Sequence, residues 1–159
     1  MANILIKRAT KVDVPLILSF IQELAEFENL SHEVQATESQ LLETLFSENP
    51  KAEVIIAYLE ENPVGFALFF HNYSTFLAKA GIYLEDLYVK PQARGKGIGK
   101  LLLQYLARLA IERGCGRLEW WVLNWNKSAI KFYQKVGAVP MDEWTVHRVT
   151  GAALEKLAK

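Results

Sequence analysis

Residues 89–103 read VKPQARGKGIGKLLL, and the reading of this stretch decides the fold. An apolar, aromatic run, GIYLEDLYV, leads into it, and apolar residues at helical spacing follow it. Glycines alternate at Gly95, Gly97 and Gly99, flanked by Arg94, Lys96 and Lys100. The pattern predicts a strand that passes through a bare, basic turn into a helix. The first N–H groups of a helix have no partner inside it and lie at the positive end of its dipole. Without Cβ atoms the backbone can come close to an anion and point several N–H groups at it. Arg94 through Lys100, with Ile98 as the first apolar helical residue, are therefore expected to hold a phosphate group.

Two familiar phosphate motifs do not fit. A P-loop requires G-x-x-x-x-G-K-S/T, but Leu101 follows Gly99-Lys100 and Arg94 stands five before Gly99. A dinucleotide turn requires G-x-G-x-x-G near the start of the fold. Here the spacing is G-x-G-x-G, and the turn comes late in the chain.

Working outward, residues 4–9 read as a strand. Residues 13–28 read as a helix, with Asp13 as cap and Pro15 in the first turn. Residues 37–46 form a second helix opened by a Thr37–Gln40 capping box. Residues 52–73 are two strands around a turn at 60–63, and 82–89 a fourth strand. The helix of the glycine turn ends at Gly114, a C-terminal glycine cap. A fifth strand at 117–124, a short helix at 127–137 and a late strand at 145–151 complete an α/β (α+β) order, best packed as a mixed sheet flanked by helices.

Composition narrows the setting. Half the chain (51%) is hydrophobic and the formal net charge is zero, so no nucleic-acid or membrane partner is expected. One cysteine, Cys115, excludes an internal disulfide. The opening MANILIKRAT has no long apolar run, so a cytoplasmic setting is expected. His32, His71 and His147 show no ligand spacing, and no metal is expected.

The pattern Arg94-x-x-Gly97-x-Gly99 resembles the Arg/Gln-x-x-Gly-x-Gly/Ala signature of the GNAT superfamily, the acetyl-CoA-dependent N-acetyltransferases. YLEDLYV before it and LNWNKSAIKFYQKVGA after it extend the resemblance. ELAEFE, RGKGIG and the WN…FY pair resemble the diamine branch, which holds spermidine/spermine N-acetyltransferases and their thialysine-acetylating relatives. NYSTF, residues 72–76, is similar to the thialysine side. The resemblance implies one domain over residues 1–159, with a mostly antiparallel sheet of about six or seven strands splayed between the fourth and fifth. It implies acetyl-CoA as co-substrate, a small-molecule amine as acceptor, and a homodimer. In that family the turn binds the CoA pyrophosphate, and backbone groups of Leu87 and Val89, with Asn126 and Ser128, hold pantetheine. Tyr133 is implied as the acid that protonates the leaving sulfur. Glu85 is implied as the group that binds the substrate cation or relays its proton, with Asp86 in reserve. Phe27 and Glu28, at the end of the first helix, are implied to border the acceptor channel. A protein N-acetyltransferase and a non-catalytic acyl-CoA sensor are the alternatives.

Taken alone, several of these residues have plainer readings. Asn126 could be only the cap of the following helix, and Glu28 a solvated helical glutamate. Strand alternation would send Glu85 and Asp86 to opposite faces of the sheet.

Overall fold

The computed structural model describes residues 2–159, which divide into two units, one running to Trp121 and one covering Val122–Lys159. The first unit holds β1 (Ile4–Arg8), α1 (Val14–Phe27), α2 (Glu38–Leu45), β2 (Glu53–Leu59), β3 (Asn62–Ser74), β4 (Lys79–Val89), α3 (Ile98–Glu112) and β5 (Leu118–Trp120). The strands lie in chain order, β1-β2-β3-β4-β5. The first four are antiparallel neighbours, and β5 runs parallel to β4. That parallel step requires a crossover, which α3 supplies.

Local chemistry sets the ends of these elements. The Thr37–Gln40 box closes as expected. The Gln40 N–H donates to Thr37 Oγ1 at 3.2 Å and the Thr37 N–H to Gln40 Oε1 at 3.0 Å. Asp13 stands at the N-cap of α1 as expected, but its carboxylate makes no bond to that helix and instead accepts from the Thr10 N–H at 2.7 Å, closing a short 3-10 turn ahead of it. Gly114 adopts φ +68 just past α3, a conformation that side chains resist. Arg113, at the C-terminal cap of α3, donates to both carboxylate oxygens of Glu53 on β2, at 2.6 and 2.8 Å.

One face of the sheet packs on α1 and α2. Phe20 of α1 stacks on Phe66 of β3 at 5.2 Å and meets Tyr88 of β4 edge-on at 6.3 Å, among buried Ile17, Leu41, Val54 and Ile56. This cluster fixes α1, through Phe20 near its middle, against the second half of β4.

Three sequence expectations are corrected. Among the described residues the sheet has five strands, not six or seven. The fifth strand, expected over 117–124, is paired only over Leu118–Trp120. The late strand expected over 145–151 does not form; residues 145–150 carry no regular structure and Gly151–Leu157 is a helix, α5. The β-branched run at 145–149 has strand character, but among the described residues no strand pairs with it, and an unpaired strand is not stable in water.

The second unit consists of α4 (Lys127–Lys135) and α5 joined by irregular chain. Asn126 caps α4, its side-chain oxygen accepting from the Ala129 N–H at 3.2 Å. No side chain of this unit is buried.

Candidate active site

The decisive local feature is a bulge in β4. Leu68 of β3 lies opposite Asp86 and Phe69 lies opposite Leu84, so Glu85 is the extra residue. An extra residue breaks strand alternation. Ile82 and Leu84 share the face of Phe69 and His71, whereas Asp86 and Tyr88 are thrown to the face of Leu68 and Phe66, under α1. The expectation that Glu85 and Asp86 simply alternate therefore fails. Asp86 is half-buried on the α1 face, and Glu85 is exposed.

Burial pushes the Asp86 carboxyl up from 3.8 to about 7, and the nearby charges of Glu85 and Glu28 push in the same direction. Glu28, the C-terminal cap of α1, is itself raised by burial. Three carboxylates thus converge where α1 ends over the bulge. Such a group costs free energy unless it meets a cation or keeps a proton.

The same bulge ends the pairing of β4 with β5 at Leu84. Beyond it, the Lys90 N–H donates to Val64 O on β3 at 2.8 Å, while Val89 O turns the other way and accepts from Arg94 Nε–H at 2.9 Å. Period-two alternation gives Leu87 the direction of Val89. The backbone groups of Leu87 and Val89 therefore line the edge of β4 that no described strand pairs, as the resemblance implies for pantetheine.

The glycine turn follows. Gly95 and Gly97 have φ +77 and +80, so glycine is favoured there by conformation. Gly97 is the N-cap of α3, and the first backbone bond of the helix runs from the Leu101 N–H to Gly97 O at 3.0 Å. The N–H groups of Ile98, Gly99 and Lys100 are left without a partner in the helix. Gly99 is helical, and a Cβ there would meet nothing within 4 Å. Neither conformation nor packing requires glycine at that position, though glycine costs a helix up to ~1 kcal/mol against alanine. A surface kept bare in this way suits close approach by an anionic group such as a pyrophosphate.

The side chains divide differently from the sequence reading. Ile98 is buried in the core and offers only its backbone. Lys96 and Lys100 are exposed. The Arg94 guanidinium lies over the rings of Phe27 (4.8 Å) and Tyr88 (5.7 Å), and its Nε is bonded to Val89. Arg94 thus fastens the turn to α1 as well as lending charge. Sequence reading missed Lys90, whose ammonium lies 3.3 Å from Glu23 of α1; no motif signals a pair formed across a helix–strand contact. In the second unit, Asn126 is the α4 cap, Ser128 is exposed, and half-buried Tyr133 lies 5.6 Å from the Phe132 ring.

A model of the Acetyltransferase (GNAT) family matches residues 19–138. The chain belongs to the GNAT acetyltransferase family. This acetyltransferase is 38% identical to the thialysine N-epsilon-acetyltransferase of Sus scrofa, with 99% of each chain covered. It is 37% identical to the L-ornithine N5-acetyltransferase NATA1 of Arabidopsis thaliana, over 97% of this chain and 87% of that one. Among solved structures it resembles an integron cassette protein from V. cholerae, at TM-score 0.81 and 35% identity, with 98% of each chain covered. The family, the enzyme class and the mixed-sheet fold expected from the sequence are thereby shown, with the strand count corrected to five.

Proposed function

We propose that this acetyltransferase transfers acetyl from acetyl-CoA to the primary amine of a small cationic substrate, a thialysine-like amino acid or a polyamine, by direct attack. The observation that carries this reading is the convergence of Asp86, Glu85 and Glu28 at the β4 bulge. A cluster of partly desolvated carboxylates favours a compact cation. The relatives named for thialysine and ornithine act on amino acids that carry a side-chain amine, which fits such a cluster.

Acetyl-CoA supplies the activated acyl group. The backbone of Gly97 to Lys100 holds the pyrophosphate, and Leu87 and Val89 pair with the pantetheine amides. Glu85 and Glu28 bind the substrate ammonium groups. A lysine-like amine, with a pKa near ~10.4, must lose a proton before it attacks. Asp86, titrating at about 7, receives that proton directly or through water, the role first expected of Glu85. Tyr133 donates a proton to the departing sulfur, whose thiol has a pKa of ~8.5.

The test is a screen of amines with acetyl-CoA and detection of free CoA, repeated with Tyr133→Phe. The wild type should turn over small diamines or thialysine-like amino acids. The variant should lose ~10²–10⁴-fold in kcat, the usual worth of general acid catalysis. Turnover of peptides but not of small amines would refute the substrate class. An undiminished Tyr133→Phe enzyme would remove Tyr133 from the chemistry.

A further inference from the structure

An exposed arginine beside an anion site ordinarily samples many rotamers or is captured by a nearby carboxylate. Arg94 is instead held from three directions. Its guanidinium lies 4.8 Å from the ring of Phe27 and 5.7 Å from the ring of Tyr88, and its Nε–H donates to Val89 O at 2.9 Å. Nε accounts for one of the five N–H donors of an arginine, and the other four are on the two terminal nitrogens. Among the described residues Arg94 stands in no ion pair. Glu23, an acid that reaches the same tyrosine, is engaged elsewhere. Its carboxylate lies 3.3 Å from Lys90 Nζ and accepts from the Tyr88 hydroxyl.

The two rings come from distant parts of the chain. Tyr88, on β4, is buried and packs edge-on against Phe20. Phe27 is the last residue of α1 and is 40% exposed. Together they form an aromatic shelf under the guanidinium. Arg94 precedes by four residues Ile98, the first of the open N–H groups of α3. We propose that Phe27, with Tyr88, is a positioning residue for the acyl donor. The shelf holds Arg94 so that its terminal N–H groups meet the donor's pyrophosphate without being ordered anew at each binding event. A planar guanidinium can do both, stacking by its face and donating from its edge. This inference rests on the reading above that the turn takes the pyrophosphate of acetyl-CoA. It moves Phe27 from the acceptor channel, where the resemblance puts it, to the donor side.

Calorimetry with CoA is the first test. Phe27→Leu should weaken binding by ~3–10-fold, the worth of fixing one flexible side chain in advance. Phe27→Trp, which keeps an aromatic face under the cation, should bind at least as well as wild type. Arg94→Gln should lose ~10-fold or more, the worth of a hydrogen bond to a charged group. Adding Phe27→Leu to Arg94→Gln should then cost nothing further, because the shelf has no cation left to hold. A wild type that does not bind CoA overturns the donor reading and this inference with it. A wild type that binds CoA, beside a Phe27→Leu protein that binds it equally well, overturns this inference alone. So do additive losses in the double variant.

The second test separates the two sides of the reaction. Acetyl-pantetheine carries the same thioester as acetyl-CoA but no pyrophosphate. With acetyl-CoA, Phe27→Leu should raise the KM of the donor while the KM of the amine moves little. With acetyl-pantetheine the loss in kcat/KM caused by Phe27→Leu should shrink, because that donor has nothing for Arg94 to hold. A loss of equal size with both donors, or one confined to the KM of the amine, returns Phe27 to the acceptor channel and overturns the proposal.

Discussion

Asparagine in place of Asp86 keeps the shape of the side chain and removes its titration. In the folded chain Asp86 keeps its proton to about pH 7, against an ordinary value of 3.8. Between those values the unfolded chain binds fewer protons, so stability falls as pH rises. The contribution is fully present below the unfolded pKa and is gone once pH passes the folded one. A rise of about three units corresponds to ~4 kcal/mol at ~1.4 kcal/mol per unit, and partial solvation trims it to ~2–4 kcal/mol. Urea unfolding of wild type and Asp86→Asn from pH 5 to 8 measures it. The variant should be the more stable protein at pH 8, and the two should converge towards pH 4–5. Activity should move the opposite way, falling ~10²–10⁴-fold at pH 8 if Asp86 takes the proton. Greater stability with lower activity cannot come from misfolding. A stability difference that does not change with pH would refute the buried-carboxylate argument. Unchanged activity would return the proton to Glu85 or to water.

The turn, the sheet and the single thiol give further expectations. Gly97→Asp sets a carboxylate where the pyrophosphate is expected, so calorimetry should show acetyl-CoA affinity at least ~10-fold lower in a protein that still folds, a loss of ~1.4 kcal/mol or more. Gly81→Ala should cost ~1–3 kcal/mol in thermal unfolding, because a Cβ there would collide with Asn72 Oδ1 and meet Arg117 Cγ at 3.1 Å. Cys115, half-buried just past α3, has no part in direct attack, so Cys115→Ala should keep wild-type kcat; trapping an acetyl group on Cys115 would overturn direct attack.

The sequence by itself determined what depends on neighbours along the chain. The Thr37–Gln40 box, the glycine end of α3 and the bare turn at 94–100 are local chemistry, and each stands where its residues placed it. The family was legible for the same reason, because its signature lies in six consecutive residues, Arg94 to Gly99. Only tertiary structure decided the rest. Alternation along YLEDLYV cannot reveal that Leu68 and Phe69 pair across an extra residue. That bulge put Asp86 into a desolvated position beside Glu28 and left Glu85 exposed. Arg94 read as a free phosphate ligand until Phe27 and Tyr88 were brought beneath it from two other elements. The run at 145–151 has the composition of a strand, but a strand exists only where a neighbour accepts its hydrogen bonds. No sequence pattern supplies that neighbour, and among the described residues no strand does so.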